Sequence, residues 1–121
     1  MTFFKVLIMK RIKTLKMNYE FKNVFSKGDF YLDKQIITYI MKNNLEHNRI
    51  GIAVSSKSGH AVQRNHVKRI VRECYYKYKE DLNVSYDIVF VWNKKCNIDD
   101  VSYDIVLEEM KKAFLKAGIL N

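Results

Sequence analysis

A two-layer α/β sandwich with the element order α-β-β-β-α-β-α is the fold class this sequence predicts. Two long segments, Ala61–Glu80 and Ser102–Ala117, repeat their apolar residues with the period of a helix. Short runs rich in β-branched and aromatic residues alternate with the helical segments, which is the pattern of helices laid on a sheet. The 121 residues contain no proline and four glycines, so no linker divides them and one domain over 1–121 is expected.

Each element follows from local chemistry. Asn18 is expected to cap a short helix, Tyr19–Lys27, with Gly28 as its stop. On that helix Phe21 and Phe25 are four residues apart and share a face. Phe30–Leu32 reads as a short strand and Gln35–Met41 as a longer one, followed by the polar, turn-like Asn43–Asn48. Arg49–Ser55 alternates: Ile50, Ile52 and Val54 point one way and Gly51, Ala53 and Ser55 the other. Gly59 precedes the long helix. Tyr86–Trp92 (YDIVFVW) is almost continuously apolar, as expected of a central strand covered on both faces. In the last helix Tyr103, Val106, Leu107, Met110, Ala113, Phe114 and Ala117 form the buried stripe. Its acids lie early and its lysines late, as the helix dipole favours, and Gly118 ends it.

The formal charge is +9, distributed unevenly. Residues 1–79 hold 17 Lys/Arg against 5 Asp/Glu, whereas residues 80–121 hold 5 against 8. Such asymmetry suggests a polyanionic partner for the first two-thirds, and nucleic acid is the usual one for a small basic domain. The alternative is a merely solubilising surface. Cys74 and Cys96 form no metal-type pair, and two unpatterned thiols fit a reducing cytoplasm. The apolar run VLIM near the start is too short for a signal peptide or membrane span. Residues 1–14 are expected to be a flexible basic extension, with Met9 and Met17 as alternative starts.

The helix Ala61–Glu80 is the informative segment. With Arg64 at 0° and about 100° per residue, Lys68, Lys79, Arg72, Asn65 and Arg69 fall within about 140° of arc. Ile70, Cys74, Val67, Tyr78 and Val71 occupy the opposite arc, between about 240° and 340°. A solvated helix usually mixes signs, because Glu–Lys pairs at i,i+4 stabilise it. Here Arg64, Lys68 and Arg72 stack like charges, at a cost of a few tenths of a kcal/mol per pair that bound phosphates would remove. Arginine also suits the two-pronged hydrogen bonding of phosphate, and Asn65 can both donate and accept. Lys57, in the loop before the helix, adds a charge. The small residues of that loop would let a backbone or a phosphate approach closely.

The stretch KSGHAVQRNHVKRIVREC, Lys57–Cys74, resembles the signature of the bacterial ribonuclease P protein component: a lysine and glycine followed by A-V-x-R-N-x-x-K-R-x-x-R. Lys57, Gly59, Ala61, Val62, Arg64, Asn65, Lys68, Arg69 and Arg72 match in order. Phe21, Val24, Phe25 and Gly28 resemble the family's early F-x-x-V-F-x-x-G, and Arg49–Ser55 its R-[IV]-G-[LI]-x-V-S. The resemblance spans Leu15 to Leu115. It implies the protein subunit of an RNA-based endonuclease that removes the 5′ leader of precursor tRNA, with Mg²⁺ used by the RNA subunit and no metal site on the protein. It also implies a ribosomal-protein-like sandwich with a left-handed strand-helix-strand crossover. Carried over, Lys57, Arg64, Asn65, Lys68, Arg69 and Arg72 contact the catalytic RNA, while Phe21, Phe25 and Tyr39 hold the leader. Aromatic platforms beside positive charge commonly hold single-stranded RNA. Plain core packing is the alternative for the two phenylalanines. Thr14, Ile36 and Trp92 depart from residues common in the family.

A nuclease acting alone would need paired carboxylates for metals or a histidine pair for proton transfer. Asp99 and Asp100 read as loop or cap residues. His47, His60 and His66 lie in polar settings, the latter two flanking the basic signature, and no zinc spacing appears. A ribosomal RNA binder would share charge and fold but not the full signature.

Overall fold

A computed structural model describes residues 12–120. Five strands and three helices follow in the order β1 (Lys13–Thr14), α1 (Asn18–Lys27), β2 (Asp29–Leu32), β3 (Ile36–Lys42), β4 (Arg49–Ala53), α2 (Ala61–Tyr78), β5 (Tyr86–Trp92) and α3 (Tyr103–Ala117). Short 3₁₀ turns at Lys79–Asp81 and Ile98–Asp100 follow α2 and precede α3. The strands form one sheet in the order β1-β4-β5-β3-β2. β5 lies at its centre, as its apolar sequence requires, parallel to β4 and antiparallel to β3. The parallel pair β4 and β5 is joined through α2, the β-α-β unit of a mixed sheet.

The expected flexible extension over 1–14 is corrected at its end. Lys13 and Thr14 pair in parallel with Arg49 and Ile50, and the Leu15 N–H continues the ladder to the Ile50 carbonyl at 2.9 Å. A two-residue strand is too short to show periodicity, so only the neighbouring edge of β4 defines it. Residues 1–11 and 121 lie outside the described residues, and with them most of the expected extension.

Two side-chain layers flank the sheet. On one face α2 and α3 pack over Ile36, Ile40, Ile50, Ile88, Phe90 and Trp92, adding Val67, Ile70, Val71, Cys74, Val106, Met110 and Phe114 to the main core. Phe90 and Phe114 are fully buried, with ring centroids 6.1 Å apart at 66°, the tilted geometry that the aromatic quadrupole favours. On the other face α1 alone crosses the sheet, where Val24, Leu15 and Val89 form a small second core with Phe21, Tyr39, Met41 and Val91 around it. One ten-residue helix cannot cover a five-stranded face, so part of that face stays open.

The caps revise one local expectation and keep the others. Asn18 is the first residue of α1, not its cap. Met17 occupies the cap position, and the Glu20 carboxylate accepts from the Lys16 and Met17 N–H groups at 2.8 Å each. Gly28 ends α1 as expected, at φ −80°. It is required for space, since a Cβ there would lie 2.6 Å from the Val24 carbonyl oxygen and 3.0 Å from that of Ile40. The last helix follows the expectation: the Ser102 Oγ accepts from the Ile105 N–H and Gly118 closes the helix at φ 76°.

Candidate RNA interface

The outward face of α2 carries the basic signature. Asn65, Arg69 and Arg72 are exposed, as is Lys57 in the preceding loop, while Arg64 and Lys68 are half-buried. Glu73 lies 3.8 Å from Arg69 in an exposed i,i+4 pair, and the Arg69 guanidinium lies 3.2 Å from the His66 Nδ1. Arg64 differs from the others. Its guanidinium donates to the Gly59 carbonyl at 2.8 Å and reaches the Ser56 carbonyl at 3.5 Å, so it clamps the loop that leads into α2. Behind the loop, the Gln63 Oε1 accepts from the His60 N–H at 2.7 Å, and its amide donates to Asp99 at 2.8 Å. A Cβ on Gly59 would lie 2.6 Å from Gln63 Oε1 and 3.1 Å from Ile98. At the Cβ position of Gly59 the close approach is made by the protein itself, through Gln63 and Ile98.

The open part of the α1 face forms a groove of about 720 Å³. Paired residues of adjacent strands share a face, so the register Ile37↔Val91↔Ala53 lays an apolar row across it, while the neighbouring row Tyr39↔Val89↔Gly51 runs on the same face toward α1, with Val89 buried in the second core. Phe21 and Asn18 of α1 form one wall. Lys68 of α2 and Lys94 and Lys95 of the loop after β5 line it with ammonium groups. The basic helix and the apolar groove therefore meet at Lys68. Phe21 is half-buried and rests on the sheet at Gly51, where a Cβ would come within 2.5 Å of its ring. Phe25, by contrast, is 42% exposed. Its ring meets Tyr39 edge-on at 4.9 Å and lies 6.5 Å from Phe21. Phe21, Phe25 and Tyr39 thus stand together as one aromatic cluster. Phe21 has the more structural duty, and Phe25 presents more ring to solvent.

Sequence reasoning passed over three groove residues, Leu32, Lys94 and Lys95, and Phe30 beside Tyr39. Lys94 and Lys95 lie in a loop without periodicity. Phe30 and Leu32, 63% and 66% exposed, sit on β2 facing the same side as Tyr39 and Ile37. The signal was available: Phe30 and Leu32 are two apart in a strand, so they share a face. Ile36 and Trp92, where the family often carries other residues, point into the main core at 1% and 3% exposure. The Trp92 indole donates to the Cys96 carbonyl at 3.3 Å.

The buried polar groups serve the fold. Arg49 donates to both Asp87 oxygens, at 2.9 and 2.7 Å, and pairs with Glu20. The Asn43 amide completes Asp87 at 2.8 Å. Glu109, read from the sequence as an early acid of α3, stands in mid-helix beyond its first turn, where it is buried and accepts from the Gln35 and Ile36 N–H groups at 2.9 and 3.0 Å. Burial pushes the Cys74 thiol up to about 12, so it is a neutral core group at physiological pH. Among the described residues, no group of three or more His, Cys, Asp or Glu is placed to hold a metal ion, and no helix is long and apolar enough to cross a membrane.

The family profile described as Ribonuclease P matches residues 9–118. The ribonuclease P protein component of Natranaerobius thermophilus is 34% identical over 113 residues, covering 93% of this chain and 96% of that protein. That of Alkaliphilus metalliredigens is 42% identical over 88 residues, 73% of this chain and 79% of its own. The structure of the Staphylococcus aureus RNase P protein superposes with a TM-score of 0.78 at 27% identity, covering 92% of this chain and all of the other. The Thermotoga maritima RNase P protein gives 0.76 at 27% identity, over 86% and 96% of the two chains. The fold, the basic signature on α2 and these matches agree: the chain belongs to the ribonuclease P protein component family, the protein subunit of the ribonucleoprotein that matures the 5′ ends of tRNA.

Proposed function

We propose that the outward face of α2 docks on the catalytic RNA and that the α1-face groove receives the 5′ leader of precursor tRNA. Lys57, Arg64, Asn65, Lys68, Arg69 and Arg72 are the RNA-docking residues in this reading. Phe21, Phe25 and Tyr39 are the leader-holding ones. The carrying observation is the junction at Lys68, where a predominantly basic helix face, with Glu73 at its margin, runs into a groove with an apolar floor and cationic lining. Phosphates need the charge and unstacked bases need the apolar surface, and a single-stranded leader presents both. The protein then orients substrate, and Mg²⁺ chemistry belongs to the RNA subunit. Asp87 and Glu109 support this division, since both carboxylates already accept from protein donors. The site of action is the cytoplasm, where tRNA is processed.

The test is the holoenzyme carrying Phe25→Leu, which keeps most apolar volume and removes the ring. If the ring stacks on a leader base, affinity for precursor tRNA falls by about 1–3 kcal/mol. Affinity for mature tRNA, which has no leader, and assembly with the RNA subunit stay unchanged. An equal loss for both tRNAs would mean that Phe25 only packs.

A further inference from the structure

We propose that Phe30 extends the leader groove onto the edge strand β2 and forms an outer base-stacking position, so that this chain engages a more upstream part of the leader than Phe21, Phe25 and Tyr39 reach. The inference rests on the leader-binding reading of the groove. Three observations carry it.

First, the rings form a continuous series. Phe25 meets Tyr39 at 4.9 Å, and Tyr39 meets Phe30 at 5.8 Å with the planes only 34° apart. The series runs outward from α1, across β3, to the edge of the sheet. Second, apart from the Tyr39 ring, Phe30 packs against neither core. Alternation along β2 sends Tyr31 to the other face, where it packs against the main core, and leaves Phe30 63% exposed. Tyr31 anchors the strand, so Phe30 is free to contact a ligand. A large apolar side chain on an open sheet edge invites aggregation and is usually replaced by a polar one. Third, the surroundings suit a polyanion that crosses the edge. Leu32, two residues on and 66% exposed, shares Phe30's face and joins it to the groove that Lys94 and Lys95 line. Lys27 at the end of α1 is exposed beside β2, and the one carboxylate of that strand, Asp29, lies on the opposite face by alternation. Stacking tolerates any base, so the position selects for the presence of upstream nucleotides more than for their sequence.

The experiment compares holoenzymes carrying wild-type protein, Phe30→Ser and Phe25→Leu, each with precursor tRNAs whose leaders are shortened one nucleotide at a time. Affinity of the wild type should rise in steps with leader length. Phe30→Ser should abolish the outermost step only, a loss of about fivefold or more on the longest leaders. Short-leader precursors, mature tRNA, RNA-subunit assembly and the melting temperature should be unchanged. Phe25→Leu should remove an earlier step. If Phe25→Leu removes a step while Phe30→Ser follows the wild type at every length, the edge position is refuted and the groove reading stands. If neither variant alters any step, the groove reading itself fails. A fall in melting temperature with a uniform loss at all lengths would make Phe30 a packing residue and refute the proposal.

Discussion

Arg64 and Arg72 sit on the same face of α2, but the fold asks different things of them. Arg72 is exposed. Arg72→Ala should therefore weaken binding to the RNA subunit by about 1.5–3 kcal/mol, as expected for a charge-assisted hydrogen bond, with an unchanged thermal melt. Arg64 also clamps the Gly59 carbonyl, so Arg64→Ala should lower both RNA affinity and the melting temperature. Equal melts for the two variants would show that the clamp contributes nothing. Arg49 is purely structural by its contacts. It joins Asp87 on β5 to Glu20 on α1, and the Asp87 side chain is 2% exposed. Arg49→Met strands that carboxylate, and removing one partner of a buried pair costs about 3–5 kcal/mol, measurable by denaturant unfolding. Glu20 gives a pH signature. The Met17 and Lys16 N–H groups, with Arg49, hold its carboxyl below the ordinary value of 4.5. The unfolded chain then binds the proton more readily. Glu20's contribution is complete above about 4.5 and is lost as pH falls through the lowered folded value. Glu20→Gln should flatten the acid limb of the stability profile, and an unchanged limb would dismiss the effect.

At the scale of elements, the groove depends on how closely α1 lies on the sheet. Gly51 sets that distance, because the Phe21 ring occupies the space where a side chain would stand. Gly51→Ala should push the ring outward. The cost is about 1–3 kcal/mol of stability, typical of overpacking, together with weaker precursor binding. A crystal structure of the variant with Phe21 unmoved would contradict this. The elements also show where local signals held and where they did not. The periodicity of α3, its Ser102 cap and its Gly118 stop were legible because each is a local interaction within one helix. The α1 cap was misassigned because Glu20 reaches back to it from inside the helix. Gly28 ends α1 as expected, and the reason for glycine there is space: a Cβ would meet the Val24 carbonyl of the helix itself and, across the sheet, that of Ile40.

For the molecule as a whole, the separation of charge from core explains how a small domain carries many like charges. The main core lies between α2, α3 and the sheet, so α2 buries one face and leaves the other to a polyanion. Binding to the RNA subunit should weaken steeply with added salt, and Arg72→Ala should reduce the log–log slope by about 1. An identical slope would remove Arg72 from the phosphate contacts. Purified chain without RNA should leave precursor tRNA intact, and cleavage that survives contamination controls would overturn the division of labour between protein and RNA.

The sequence by itself determined the strand and helix types, the apolar stripe and basic face of α2, and the family signature, because each is a periodic or contiguous pattern written along one element. Only the tertiary structure decided the rest. It placed Lys13–Thr14 at a sheet edge, turned Trp92 and Ile36 inward, and buried Glu109 against the start of β3. It gathered Phe25, Tyr39 and Phe30 from three elements into one series, and brought Leu32 and Lys94 together along the neighbouring groove. These contacts join residues far apart in the chain, and their geometry is set by strand order and register, which no single segment encodes.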